Sequence, residues 1–299
     1  MVKLLAAVLV GCVEPVILDG DGPTVDEACP VAQEDVDATQ AQAREALARI
    51  ACHRALMGLE TGPVDADLAA SARAHAAYMF ENNQLTHTET LGLPNFTGVG
   101  AAERAVSAGY PLTPGTKISE VVAWGDTPTD IADAWVSGPY HRQPLSMPGW
   151  AAAGYGQVGT WATLVTISPW PASARRAVLY PAHGQAAVPT SWNSDTEWPD
   201  PVPEARWTGY PITVTLTAPD LTDNVDDPYD IVVIDATLEG PDGPVETRLL
   251  SPKSDDSLKS LVALIPIDIL RTSTAYTARF VVEWGGTEEV VQGTFTTGP

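Results

Sequence analysis

Basic residues are scarce in this chain: 16 Lys+Arg stand against 38 Asp+Glu, a formal charge of −22 over 299 residues. A field of that sign repels nucleic acid and anionic lipid headgroups, so no nucleic-acid partner is expected and solubility is the first use of the charge. Long apolar runs are missing as well. The longest near the start, residues 4–10, is too short to span a bilayer as a stable helix. There is no Gly-x-Ser-x-Gly elbow, no His-Glu-x-x-His and no P-loop, so three common hydrolase and nucleotide chemistries lose their usual scaffolds. Neither solenoid repeats nor coiled-coil heptads are present. What remains is an ordinary globular composition, 44% hydrophobic and 18% charged, with enough residues for two domains.

Cysteine occurs only three times. Cys12 closes the segment Met1-Val-Lys3-Leu-Leu-Ala-Ala-Val-Leu-Val10-Gly11, in which Lys3 supplies the positive start and residues 4–10 the apolar core of a targeting signal. Leu9-Val10-Gly11-Cys12 is similar to a bacterial lipobox, with Val10 in place of the usual small residue. The resemblance implies a signal peptide over residues 1–11 and lipidation of Cys12. It therefore implies membrane attachment through an N-terminal lipid anchor, at the cell envelope or outside the cell. Val13 lacks the acid of the inner-membrane retention rule, which points to the outer membrane. An unlipidated signal peptide or a misplaced start codon is the competing reading. In an oxidising compartment Cys29 and Cys52 either form a disulfide or stay as two buried thiols; spacing alone does not decide.

Residues 12–38 are acidic and rich in Gly, Pro and Asp, as expected of a flexible spacer. A helix is expected from about Thr39, with Ala43, Leu47, Ile50 and Met57 at helical spacing and Gly58 as its terminator. A second helix should run from near Asp65 to Asn82-Asn83 with the apolar stripe Leu68, Ala72, Ala76 and Met79, and His75 at its edge. Thr127-Pro128-Thr129-Asp130 opens a third, which Gly138-Pro139 stops, leaving Tyr140 and His141 just beyond its end. Gly154-Tyr-Gly156 and residues 160–167 read as strands. A segment rich in Pro and Trp, residues 179–210, reads as an irregular connector whose Trp192, Trp198 and Trp207 should pack on a domain. Residues 211–299 carry only strand signals, including a hairpin turn at Gly240-Pro-Asp-Gly243. Helices first and strands late give an α+β fold class. Asp223, Asp226, Asp227 and Asp230 could hold calcium, but Val225 breaks the ligand alternation and favours a solvated acidic loop.

Several separated motifs run in order: Arg54-x-x-x-Gly58-Leu59, Ala72-x-x-His75-x-x-Tyr78-Met79, Leu85-x-His87-x-Glu89, Phe96-Thr-Gly98, Glu103-Arg104-x(4)-Gly109-Tyr110, Glu120, Trp135-x(5)-His141-Arg142 and Gly154-Tyr-Gly156. Together they resemble the CAP superfamily (cysteine-rich secretory, antigen five and pathogenesis-related proteins), in its bacterial SCP-like branch. The resemblance implies a CAP-type α-β-α sandwich over residues 39–178. It implies a cavity lined by two histidines and acids, here His87, Glu120 and His141. A second family glutamate, three residues after the helix tryptophan, is replaced by Gly138. The usual Asn after the first glutamate is Val121, and the Asn three residues before Arg54 is Ala51. The last segment is similar to bacterial immunoglobulin-like (Ig-like) modules, an all-β sandwich.

Two imidazoles and a carboxylate can bind zinc or another divalent metal, or brace the fold as a hydrogen-bonded network with no cofactor required. His75 is expected to be a satisfied helix residue, and Arg104 and Arg142 to brace carboxylates. Two functions follow. The favoured one is a non-enzymatic surface lipoprotein that binds a small apolar, lipid or sterol-like ligand, or a cell-surface protein. The alternative is a metal-dependent hydrolase using His87, His141 and Glu120, with Glu120 as ligand or catalytic base.

Overall fold

The computed structural model describes residues 22–29, 41–219, 221 and 231–299. The leader with Cys12, most of the spacer and the acidic stretch 222–230 lie outside the described residues.

The first half is built from helices α1 (Ala41–Leu56), α2 (Ala66–Asn82), α3 (Ala101–Ala108), α4 (Pro128–Ser137) and α5 (Pro139–Leu145), and strands β1 (Thr116–Trp124), β2 (Ala152–Val158) and β3 (Trp161–Pro169). The strands form an antiparallel sheet in the order β1-β3-β2. Side chains of β3 alternate between two cores: Ala162 and Leu164 join Ile50, Ile131 and Trp135 from α1 and α4, whereas Val165 and Ile167 join Leu68, Ala72 and Ala105 from α2 and α3. This alternation is the period-2 pattern of a strand covered on both faces. The result is the expected three-layer α-β-α arrangement.

Local chemistry sets the helix ends. The Asp65 side chain accepts from the backbone N–H groups of Asp67 and Leu68, both at 3.0 Å, and Asn83 terminates α2 in the left-handed region at φ 50°. Thr127 caps α4 ahead of Pro128 at the first helical position. Gly138 ends α4, and Pro139 then starts α5 at once. His141 therefore sits on a helix, not in the loop that the Gly-Pro pair suggested. The physical reason is that proline stops one helix and suits the first turn of the next equally well. Cys29 and Cys52 are joined in a disulfide, which ties segment 22–29 to α1.

The second half is all strand. β4 (Arg176–Tyr180), β5 (Gln185–Val188), a two-stranded ribbon of β6 (Ser191–Asn193) and β7 (Trp207–Gly209), then β8 (Ile212–Thr217), β9 (Val232–Gly240), β10 (Gly243–Pro244), β11 (Thr247–Leu250), β12 (Leu261–Pro266), β13 (Ala275–Trp284) and β14 (Thr287–Thr297) follow in order. They form a four-stranded sheet, β11-β12-β8-β4, and a five-stranded sheet, β10-β9-β13-β14-β5. Buried Trp284 links the two sheets, donating from its indole N–H to the Thr217 carbonyl at 3.2 Å. Residues 176–188, which sequence placed at the end of the CAP segment and the start of the connector, supply one strand to each of these sheets. Of the three connector tryptophans only Trp192 is buried; Trp198 is 92% exposed and Trp207 54%. The expectation that all three pack on a domain is corrected accordingly.

The halves meet along α5. Gln143 accepts from the backbone N–H groups of Lys259 and Ser260 at 2.5 and 3.0 Å, Tyr140 donates to Asp255 at 2.5 Å, and Ser146 meets Thr215 at 2.5 Å. The loop before β12 is thereby latched beside the helix that carries His141.

Candidate functional site

A cavity of about 290 Å³ opens at the free edge of β1, where α5, the connector and the loop before β12 converge. His87, Glu120 and His141 all line it, together with Glu197. The three residues singled out from sequence are thus gathered around one hollow, but they do not form one trio. They form two acid–imidazole pairs.

The first pair is Glu120 with His87. Glu120 lies on β1, on the face shared with Ile118 and Val122 that packs against α2 and α3. One carboxylate oxygen meets His87 Nδ1 at 3.1 Å and the other accepts from Arg104 Nη2 at 2.6 Å. His75 is buried, bonded to Glu89 at 2.9 Å and to the Thr86 carbonyl at 2.8 Å, with its Nε2 3.8 Å from Glu120. It is the satisfied residue expected. Burial alone would push the Glu120 carboxyl up. The His87 hydrogen bond, the charges of Arg104 and His75 and the Arg104 hydrogen bond outweigh burial and hold it below its ordinary value. Glu120 is therefore a carboxylate, already engaged at both oxygens, while His87 is more than half exposed and faces solvent.

The second pair is His141 with Glu197. His141 Nδ1 lies 3.1 Å from Glu197 Oε2, and the His141 backbone N–H donates to Glu197 Oε1 at 3.4 Å. Burial alone would push the imidazole down; the Glu197 charge and hydrogen bond outweigh it and hold the pKa above its ordinary value. Sequence reasoning missed Glu197. It stands in Asp195-Thr-Glu197-Trp198-Pro199, where no spacing marks it, and only the folded connector brings it to the cavity.

Arg104 braces a carboxylate as expected. Arg142 does not. Its buried guanidinium donates to the carbonyls of Val136, Ser137 and Pro211 and to the Thr213 hydroxyl. It joins the two halves instead of serving the site.

Among the described residues no group of three or more His, Cys, Asp or Glu side chains is placed to hold an ion. Glu120 is paired with a guanidinium, and each imidazole turns Nδ1 to a carboxylate, which leaves Nε2 as the ring nitrogen for other contacts. Among the described residues that line the cavity, no hydroxyl nucleophile is bonded to an imidazole. Among the described residues Ser119 and Ser260, the cavity serines, bond to neither His87 nor His141, and Ser260 instead points at the Met147 sulfur at 3.5 Å. What the cavity offers is two fixed dipolar pairs, further polar groups from Lys117, Tyr140 and Gln143, and the apolar surfaces of Val121, Met147 and Trp198.

The sequence model of the cysteine-rich secretory protein family, CAP, matches residues 47–166. Two solved structures are similar over part of the chain. One is an extracellular protein containing an SCP domain from Bacillus anthracis str. Ames, at 17% identity and a TM-score of 0.37, covering 46% of this chain and 45% of that one. The other is an outer surface protein from Borrelia burgdorferi, at 20% identity and a TM-score of 0.35, covering 44% of this chain and 93% of that one. The chain thus spans less than half the length of the Bacillus protein. None of the curated proteins matches it. The ordered motifs from Arg54 to Gly156, the three layers around an antiparallel sheet and the family match over the same residues lead to one identification: residues 47–166 are a CAP domain.

Proposed function

We propose that this is a CAP-domain protein of the bacterial cell surface, tethered through lipidated Cys12, whose cavity binds a small amphipathic ligand without chemical turnover. The observation that carries the reading is the composition of the cavity wall: two imidazole–carboxylate pairs that present polar atoms in fixed positions, interspersed with Val121, Pro144, Met147 and Trp198. Polar groups held in fixed positions orient a ligand and give it specificity, and the apolar patches among them accept a short apolar part. The size argues further. At about 290 Å³ the hollow is at the small end of ligand pockets, so it suits a head group or short chain better than a whole sterol or phospholipid. The sandwich of residues 211–299 serves in this reading as a spacer or adhesion module, and the acidic surface keeps the exported chain soluble.

The test is a thermal-shift series on the full mature chain with short- and long-chain fatty acids, a sterol, a phospholipid and amphipathic amines as probes. A saturating ligand at about 100 times its dissociation constant adds about 2.7 kcal/mol to the folded state, a shift readily seen. The expected result is a rise in Tm with at least one short amphipathic probe that disappears in His141→Ala. Two results would reject the reading: no probe shifts the melt, or the purified protein carries stoichiometric metal and hydrolyses a substrate with activity lost in His141→Ala. The second outcome would restore the metal-dependent hydrolase.

A further inference from the structure

Gly138 has no conformational reason to be glycine. Its φ is −86° and its ψ 137°, extended backbone open to any residue. Its reason is space. A Cβ added there would sit 1.7 Å from Glu197 Oε1 and 2.7 Å from Glu197 Cδ. The volume that any side chain at position 138 would enter is filled by a carboxylate from a segment 59 residues further along the chain, outside the family match at 47–166.

That carboxylate is buried and anchored on its backbone side. Glu197 ends a 3-10 turn, Ser194–Thr196, with its N–H bonded to the Ser194 carbonyl at 3.0 Å, and Ser194 in turn donates to the Ala205 carbonyl at 2.9 Å. The Glu197 side chain is 1% exposed, and the contact of its Oε2 is the imidazole of His141, with Nδ1 at 3.1 Å. An acid so withdrawn from water persists only where a charge partner compensates its desolvation. Trp198 follows directly and stands exposed at the cavity rim.

We propose that Glu197 is the second acid of the CAP cavity, delivered from outside the CAP domain into the space that Gly138 leaves, where it positions His141. The binding site is then complete only in the full chain: the domain supplies His87, Glu120 and His141, and the connector supplies Glu197 and Trp198. Glycine at 138 and glutamate at 197 form one unit, since either alone leaves the cavity overfilled or short of an acid. The assignment holds whatever the ligand is, so its failure and the failure of the ligand reading are separable.

The test relocates the acid. Three full-length variants are compared with wild type by histidine NMR titration and by melting: Glu197→Gln, Gly138→Glu, and Gly138→Glu combined with Glu197→Ala. The charged group facing His141 is Glu197 from the connector; Tyr140 on its own helix lines the same cavity and donates to Asp255. Glu120 and Lys117 from β1 and His87 share the cavity. In wild type the His141 midpoint should lie above 6.5. Glu197→Gln keeps the shape and removes the charge, and should lower the midpoint by about one unit or more. Gly138→Glu alone should lower Tm through the clash, and the combined variant should recover Tm and bring the midpoint back to within about half a unit of wild type. A purely structural Glu197 would leave the midpoint unmoved in Glu197→Gln, and that result overturns the proposal. So does a folded combined variant whose midpoint stays low. Should the combined variant not fold, Glu197→Gln decides alone.

Discussion

Replacing Arg142 with methionine should cost about 4 kcal/mol of stability, among the largest single losses available to this fold. The side chain is fully buried. Its Nε and Nη2 hold the Val136 and Ser137 carbonyls at the end of α4, at 2.5 and 3.0 Å, while Nη1 holds the Pro211 carbonyl and the Thr213 hydroxyl at the start of β8, at 2.8 and 3.1 Å. The guanidinium also lies against the rings of Tyr180 and Tyr210. Methionine fills much of the volume but leaves these acceptors buried and unpaired. Hydrogen bonds to a charged donor contribute about 1.5–3 kcal/mol each, and the sum is reduced because neighbouring bonds are not additive. Arg142→Lys should recover little, because an ammonium cannot reproduce the planar fork. Urea denaturation of both variants reads the effect directly. A loss under about 1 kcal/mol would show that Arg142 does not hold the halves together.

Gly156→Ala should cost about 3 kcal/mol or more. Helix α2 lies so close to β2 that a Cβ at Gly156 would fall 2.1 Å from the Arg73 backbone nitrogen and 2.3 Å from its Cα. Gly154 meets the helix in the same way, at 2.2 Å from the Leu68 carbonyl carbon. No rotamer change relieves a clash with backbone, so α2 must lift from the sheet and the packing of Leu68, Ala72 and Val165 loosens with it. Because α2 also carries His75, which supports Glu89 and Glu120, the His87 NMR signal should move in the same variant. A melt within about 0.5 kcal/mol of wild type would mean that the helix does not rest on these glycines.

These contacts explain which parts of the molecule could be read in advance. The ends of α2 and α4 were legible because capping is local: Asp65, Thr127 and Pro128 each act on a neighbour within three residues. β2 and β3 were legible from their glycine and β-branched patterns. The eight-residue α3 was not, since an element that short carries barely two turns of periodicity. α5 was hidden by a proline that reads as a stop. The cavity divides in the same way. His87, Glu120 and His141 could be picked out because they sit in ordered motifs. Their pairing could not, because Arg104 occupies one oxygen of Glu120 and the partner of His141 comes from a connector with no pattern of its own. In the sequence Gly138 stands as a lost acid; in the structure Glu197 fills that space. Tertiary proximity of that kind leaves no trace in local sequence.

The ion pair between α5 and the connector is the hinge of the account, and a double-mutant cycle measures it. His141→Ala, Glu197→Ala and the double variant are unfolded in denaturant at pH 6 and at pH 9. His141 has a folded pKa raised above 6.5, so its contribution is fully present below 6.5 and is lost as pH rises through the folded value. The predicted coupling is about 1–3 kcal/mol at pH 6 and clearly smaller at pH 9. A coupling within about 0.3 kcal/mol of zero at both pH values would contradict the account, since it would mean that His141 and Glu197 do not meet.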